Sequence, residues 1–117
     1  MNKKQLQVLE WIGKLKTSDK LIIVEGMKDK RALEKFGVDD IITLKKSIHK
    51  IVEDVAKEEK ECVILTDFDK KGKQLYEKLK EGLCKEGVKV DRYLREWLQK
   101  HTKLSHIEGL FTYVSNA

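Results

Sequence analysis

Four short apolar runs punctuate the chain, and longer stretches with helical spacing separate them. Runs of aliphatic and β-branched residues without polar interruptions are typical of strands buried on both faces of a sheet. The predicted strands cover residues 21–24, 41–44, 62–65 and 88–90. Between them, apolar residues recur three and four positions apart, which predicts amphipathic helices. The predicted helices cover residues 5–15, 28–36, 48–56, 71–87 and 93–100.

This alternation of strands and helices, with short connections, indicates an α/β fold with a parallel sheet covered by helices on both faces. The expected strand order is 2-1-3-4. The tail from His106 to Val114 is expected to add an edge strand. The length of 117 residues predicts one domain, with an N-terminal helix (1–16), a core (21–90) and a C-terminal helix with the edge strand (91–117).

Composition and charge narrow the class of protein only slightly. The formal net charge of +5 favours an anionic partner, although charge alone does not establish nucleic-acid binding. No apolar run approaches the length of about 20 residues that a membrane span needs, and no secretory segment is evident. We therefore expect a cytoplasmic protein without a membrane partner. The apolar face of the first helix would pack on its own domain or on a second copy, which would give a homodimer.

Acidic residues follow the first and third predicted strands. Glu25 follows the first strand, and Asp67 and Asp69 follow the third. If these two strands are neighbours, the three carboxylates converge beyond the carboxyl ends of the strands, where α/β folds bind ligands. Crowded carboxylates repel one another unless a cation lies between them, and Mg²⁺ prefers such oxygen ligands. The alternative is that these acids only stabilise the first turns of the helices that follow.

Other sites with two aspartates one residue apart fit less well. In a calcium loop beginning at Asp67, Gly72 would stand at the sixth position, but Lys78 would stand where a bidentate glutamate is required. A phosphoaspartate enzyme would place Thr or Val where Lys71 stands. The sequence also contains neither of the glycine-rich nucleotide-binding motifs.

Two motifs, Val24-Glu25-Gly26-Met27-Lys28-Asp29 and Thr66-Asp67-Phe68-Asp69-Lys70-Lys71-Gly72, together resemble the Toprim domain. That domain occurs in topoisomerases, bacterial-type primases and the ribonuclease that matures 5S ribosomal RNA. The resemblance covers roughly residues 21–90 and is strongest to the small stand-alone Toprim proteins related to that ribonuclease. It implies a three-layer α/β/α, Rossmann-like fold.

The resemblance also implies roles for the acids and glycines. Asp67 and Asp69 would hold Mg²⁺ (or Mn²⁺), and Glu25 would be a further ligand or the general acid/base. Asp29 would be an additional acid or a first-turn helix acid. Gly26 and Gly72 would let the backbone approach a phosphate.

Basic residues flank both motifs and would surround an acidic metal centre. Such a rim suits the phosphate backbone of a nucleic acid, although each lysine alone could simply be solvated. The expected phosphate or nucleic-acid contacts include Lys28, Lys70, Lys71 and Lys73. Arg92 and Arg95 would extend this patch if their side chains faced it.

One position departs from the resemblance. Lys73 stands where many Toprim proteins have a glutamate after the glycine, so one potential metal ligand is missing. The favoured function is Mg²⁺-dependent hydrolysis of an RNA or DNA phosphodiester. The alternatives are a non-catalytic nucleic-acid or ribosome-associated module that retains the acidic site, and an enzyme acting on small phosphate esters. The histidines lie at no diagnostic offset from an acid or a thiol, and the segment around His106 is expected to serve packing.

Overall fold

The computed structural model describes residues 1–115. Its strands are β1 (Leu21–Val24), β2 (Ile41–Thr43), β3 (Cys62–Ile64) and β4 (Val90–Asp91). Its α-helices are α1 (Lys3–Thr17), α2 (Met27–Glu34), α3 (Ile48–Lys57), α4 (Lys70–Lys85), α5 (Tyr93–His101) and α6 (Leu110–Ser115). A 3₁₀ turn, Ile107–Gly109, leads directly into α6.

The four strands form one parallel sheet in the order β2-β1-β3-β4, which confirms the predicted order. β1 lies at the centre, where Ile22 is in register with Ile41 of β2 and with Val63 of β3. Because β1 and β3 are parallel neighbours, the chain leaves both strands at the same edge of the sheet. Glu25 and Asp67 are thereby brought together.

Two apolar layers cover the sheet, as the uninterrupted apolar runs predicted. Ile22 and Val24 of β1 point into a core formed with α1, α2, α5 and α6. Leu21 and Ile23 point into the opposite core, formed with α3 and α4. Successive strand residues face opposite sides of a sheet, so a strand covered on both sides has no polar face. The three-layer α/β/α prediction is confirmed. Within the described residues, no helix is long and apolar enough to cross a membrane.

The N-terminal helix packs on its own chain. Val8, Trp11 and Leu15 are buried against the first core. The indole Nε1 of Trp11 donates a hydrogen bond of 2.8 Å to the carbonyl oxygen of Leu94 in α5. The apolar face of α1 is thus used within the chain, while the homodimer stays a prediction.

The C-terminal segment differs from the prediction. The expected edge strand is wrong, because the described part of this segment forms the 3₁₀ turn and α6. Ile107, Leu110 and Val114 follow helical spacing and are buried beside α1 and α2. β4 also begins two residues later than predicted, at Val90, since the N–H of Val88 still bonds the carbonyl of Leu83 at the end of α4.

The start of α4 packs directly on the chain leaving β3. Asp69 is the N-cap residue, and its Oδ1 accepts a hydrogen bond of 2.7 Å from the N–H of Gly72. The hydroxyl of Thr66 donates to the carbonyl oxygen of Gly72 at 2.7 Å. A Cβ atom at Gly72 would lie 2.0 Å from the carbonyl oxygen of Asp67. The glycine therefore permits a close approach of helix and strand end that no side chain would allow.

We predict that Gly72→Ala destabilises the protein by about 1–3 kcal/mol, because the methyl group forces α4 away from the strand end. Gly13→Ala is the matched control, since no atom lies within 4 Å of the Cβ position at Gly13 in α1. It should stabilise the protein by roughly 0.5–1 kcal/mol, the usual difference between Ala and Gly inside a helix. Urea unfolding measures both, and a Gly72→Ala variant as stable as the wild type would contradict the close packing.

Candidate metal centre

A buried arginine forms hydrogen bonds with the backbone at the end of β3. Arg95 of α5 is 3% exposed. Its guanidinium donates hydrogen bonds to three carbonyl oxygens of this segment, those of Ile64 (3.3 Å), Thr66 (2.6 Å) and Asp67 (3.1 Å). These carbonyls lie where the strand ladder ends, so they need partners other than a neighbouring strand. Arg95 thus fixes the backbone that carries the two aspartates.

The same guanidinium lies between two aromatic rings. Its central carbon is 4.7 Å from the ring centre of Phe68 and 4.4 Å from that of Tyr76. Burial lowers the pKa of Arg95 to about 10, which still leaves the side chain charged at neutral pH. Arg92 is exposed, whereas Arg95 belongs to the interior and does not extend a surface patch.

Each of the three predicted acids uses one carboxylate oxygen to accept a backbone N–H. Oδ1 of Asp67 accepts from Ile107 at 2.9 Å, and Oδ1 of Asp69 accepts from Gly72 at 2.7 Å. Oε1 of Glu25 accepts from the N–H of Asp67 at 3.1 Å, which links the ends of β1 and β3. The carboxylates are therefore oriented by the backbone, and each keeps a second oxygen for another partner.

Glu25 lies in an environment that disfavours its charge. Burial is the largest cause that raises its pKa, and the negative charges of Asp67, Asp69 and Asp29 raise it further. The hydrogen bond from the N–H of Asp67 acts in the opposite direction but does not cancel the increase. A bound cation would offset the effect of the neighbouring carboxylates, whereas the effect of burial would persist.

Asp29 serves the start of α2. Its Oδ2 accepts a hydrogen bond of 3.0 Å from the N–H of Gly26, and the backbone of Glu108 also bonds the carboxylate. Burial raises the pKa of Asp29, and the charge of Asp67 adds to the increase. Asp29 is buried, so of the two alternatives for this residue the geometry favours the helix acid.

Among the described residues, the ligand atoms of Asp67, Asp69 and His106 all lie within 4.8 Å of one another. Oxygens bound to one Mg²⁺ at 2.0–2.1 Å lie at most about 4.2 Å apart, so a small side-chain rotation would bring these atoms to a common ion. Two carboxylates and an imidazole suit a divalent cation. The donor set therefore fits a metal. Glu25 adjoins this group through its bond to the backbone of Asp67 but is not one of its members.

The sequence did not predict that His106 would lie in this group. Its Nε2 is 3.4 Å from Oδ2 of Asp69. The two residues are far apart in sequence, and no fixed spacing links them. The apolar positions that follow His106 could have indicated a helix returning to the core, but they do not indicate where the histidine would lie.

The predicted phosphate contacts lie at the edge of the sheet that carries the acids. Lys28, Lys70, Lys71 and Lys73 are exposed. Within residues 1–115 none of the four forms an ion pair with an acidic side chain. The structure thus leaves these charges available to an anion.

The two glycines of the motifs differ. Space is open around the Cβ position of Gly26, which leaves room for a phosphate near the backbone. Gly72 is buried against Asp67, so packing already explains this glycine. Lys73, which replaces the missing glutamate, lines a groove between α4 and α5 together with Tyr76 and Arg92.

The structure defines a parallel α/β protein with acids at the carboxyl ends of two adjacent strands, where open α/β sheets bind ligands. The pattern of the Toprim domain matches residues 19–93, which is more than half of the chain. The chain belongs to the Toprim family, and its relatives are UPF0292 proteins. This membership supports a metal-binding role related to nucleic acids. The kinship with the 5S-maturing ribonuclease stays a prediction.

The relatives match over most of their length. A UPF0292 protein of Methanocaldococcus jannaschii is 38% identical over an alignment of 117 positions, which covers 96% of this chain and 91% of the relative. A UPF0292 protein of Pyrococcus abyssi is 41% identical over 103 residues, covering 86% and 78% of the two chains. A solved structure of a protein from Aquifex aeolicus shares 35% identity with a TM-score of 0.78, covering 85% of this chain and 94% of that one.

We predict that Glu25→Gln stabilises the metal-free protein at pH 7. The folded-state pKa of Glu25 lies above its ordinary value of 4.5, so folding favours the protonated form. Wild-type stability should therefore fall as pH rises from below 4.5 through the folded-state pKa. Glutamine keeps the oxygen that accepts from Asp67 and carries no charge.

The advantage of Glu25→Gln should shrink as the pH is lowered towards 4 and vanish where the wild-type carboxyl is protonated in both states. Urea unfolding in the presence of a chelator, at several pH values, measures it. Glu34→Gln removes an exposed charge at the other end of α2 and is the control, expected to change little. A Glu25→Gln variant that is less stable than the wild type at pH 7 would contradict the account.

Proposed function

We propose that this protein hydrolyses phosphodiester bonds of a nucleic acid with the help of Mg²⁺ or Mn²⁺. The observation that carries the proposal is the arrangement of charges at one edge of the sheet. Glu25, Asp67 and Asp69 present oriented carboxylates, and exposed lysines without an acidic partner among residues 1–115 stand in the first turns of the two helices that follow them. Membership of the Toprim family supports the same reading.

Asp67 and Asp69 are the residues that would hold the ion. When bound, a divalent cation neutralises charge that develops on a phosphodiester and aligns its oxygens. The chain's own contribution is to present two carboxylate oxygens in a fixed orientation. This orientation comes from the backbone N–H groups of Ile107 and Gly72, which bond the other oxygen of Asp67 and of Asp69 respectively.

Glu25 is the candidate general acid/base. Burial and the neighbouring acids raise its pKa, so this carboxyl takes up a proton more readily than an ordinary glutamate, as a general acid/base must. Its bond to the N–H of Asp67 places the carboxylate directly beside the aspartates. In this role Glu25 would move a proton at the attacking or leaving oxygen, and its free Oε2 would be the atom involved.

The lysines supply affinity for the polymer. Lys28 stands at the start of α2, and Lys70 and Lys71 stand at the start of α4, so they flank the acids on two sides. Contacts of this kind act on the phosphate backbone irrespective of sequence and weaken as salt rises. They therefore favour a polymeric phosphate over a small phosphate ester.

A second candidate is a non-catalytic module that binds nucleic acid or the ribosome through the same metal. The observation that favours it is Lys73. An exposed lysine stands where many family members have a glutamate, and it lines the α4–α5 groove. Compared with those family members, this protein has one acidic side chain fewer and one basic side chain more near the centre. That difference suits binding of a nucleic acid better than its cleavage.

The test is cleavage of end-labelled structured RNA, single-stranded DNA and duplex DNA, with Mg²⁺ or with chelator. We expect cleavage of at least one polymer in Mg²⁺ and none in chelator. Glu25→Gln should reduce the rate roughly 100-fold or more while polymer affinity stays within about 3-fold, because a general acid/base acts on the rate and not on the phosphate contacts. Glu34→Gln should cleave like the wild type.

The outcomes separate the two candidates. Salt-sensitive binding without cleavage, in Mg²⁺ and in Mn²⁺, would favour the binding module. Cleavage that survives Glu25→Gln would remove Glu25 from its proposed role. A protein that neither binds nor cleaves any of the three polymers would contradict both candidates.

A further inference from the structure

The loop between α5 and the 3₁₀ turn returns to the acidic edge and is bonded to it on both sides of His106. The carbonyl oxygen of Ser105 accepts a hydrogen bond of 2.8 Å from the N–H of Phe68. The N–H of Ile107 donates to Oδ1 of Asp67 at 2.9 Å. These two bonds flank His106 and fix its backbone beside the segment that carries both aspartates.

The side chain of His106 faces the second oxygen of Asp69. Its Nε2 lies 3.4 Å from Oδ2 of Asp69. Oδ1 of the same residue is already used by the N–H of Gly72, so Oδ2 is the oxygen left for an ion. Roughly half of each side chain is exposed, 53% for His106 and 43% for Asp69. An ion from solvent can therefore reach both groups.

We propose that His106 is a nitrogen ligand of the ion held by Asp67 and Asp69, and that it shifts the preference of the centre from Mg²⁺ towards Mn²⁺. This inference rests on the metal binding of the proposed function. His106 lies beyond residues 19–93, where the Toprim pattern matches, so the C-terminal segment adds a ligand to the acids of the domain.

The preference follows from ligand chemistry. Mg²⁺ favours carboxylate, carbonyl and water oxygens and gains little from an imidazole. Mn²⁺ also suits oxygen ligands, but as a first-row transition metal it binds an imidazole nitrogen more readily than Mg²⁺ does. A centre with two carboxylates and one imidazole should therefore favour Mn²⁺ more than the same two carboxylates alone.

A different role for His106 predicts the opposite effect. As an imidazolium paired with Asp69, the side chain would compete with the ion. Its removal would then strengthen the binding of Mg²⁺ and Mn²⁺ alike. The two roles thus differ in the sign of the change and in its dependence on the metal.

The experiment is pulsed electron paramagnetic resonance of Mn²⁺ bound to the full chain, together with Mn²⁺ and Mg²⁺ affinities from calorimetry. The wild-type spectrum should show modulation from a directly bound ¹⁴N nucleus. His106→Gln should abolish it, lower Mn²⁺ affinity about 10-fold or more and change Mg²⁺ affinity by less than about 3-fold. His49→Gln and His101→Gln, in α3 and at the end of α5, are matched controls that should keep the nitrogen signal.

Each other outcome has a definite meaning. Wild-type protein that binds Mn²⁺ without nitrogen modulation would overturn the role of His106 and leave the proposed function intact. His106→Gln protein that binds both metals more tightly would also overturn it, in favour of the competing ion pair. Wild-type protein that binds neither metal would overturn the metal centre itself. Even if His106→Gln does not fold, a wild-type spectrum without nitrogen modulation overturns the proposal, and nitrogen modulation that persists in both His49→Gln and His101→Gln supports it.

Discussion

The bonds from Arg95 to the end of β3 are the interaction on which the acidic edge depends. They supply partners for carbonyls that the sheet leaves unpaired, and they place one positive charge beneath a group of negative ones. One buried arginine does not balance Glu25, Asp67, Asp69 and Asp29. Burial is the largest cause that raises the pKa values of Glu25 and Asp29, and this imbalance of charge adds to the increase of both. A divalent cation would correct this imbalance.

The backbone sets the orientation of the site at little entropic cost. N–H groups from three separate segments hold one oxygen each of Asp67, Asp69 and Glu25. Carboxylates held in this way lose little freedom when an ion arrives, which favours tight and specific binding. The C-terminal segment takes part directly, since the N–H of Ile107 holds Asp67 and the loop before it carries His106. The site is thus assembled from the Toprim core and from residues beyond it.

The sequence predicted the fold and the acids because both depend on local pattern and on topology. An apolar run such as Leu21–Val24 predicts a strand buried on both faces, and parallel neighbours necessarily bring their carboxyl ends together. The two residues that escaped prediction, Arg95 and His106, depend on tertiary packing. Arg95 is a charged residue on an amphipathic helix, and only the docking of α5 under β3 shows that it points inward. The few apolar residues of the tail fit the two-residue period of a strand as well as the 3.6-residue period of a helix. In the structure they are buried against α1 and α2 as a helix.

The most direct test of the central claim is calorimetric titration of Mg²⁺ into the wild type and into Asp67→Asn/Asp69→Asn. Asparagine keeps Oδ1 as acceptor for Ile107 and Gly72, so the fold should persist while both charges are lost. Asp39→Asn/Glu58→Gln removes two exposed charges near the amino ends of β2 and β3 and is the control. We expect saturable Mg²⁺ binding by the wild type and the control, and none by the double aspartate variant. Equal Mg²⁺ affinity in a folded double aspartate variant would contradict the assignment of this edge as a metal centre.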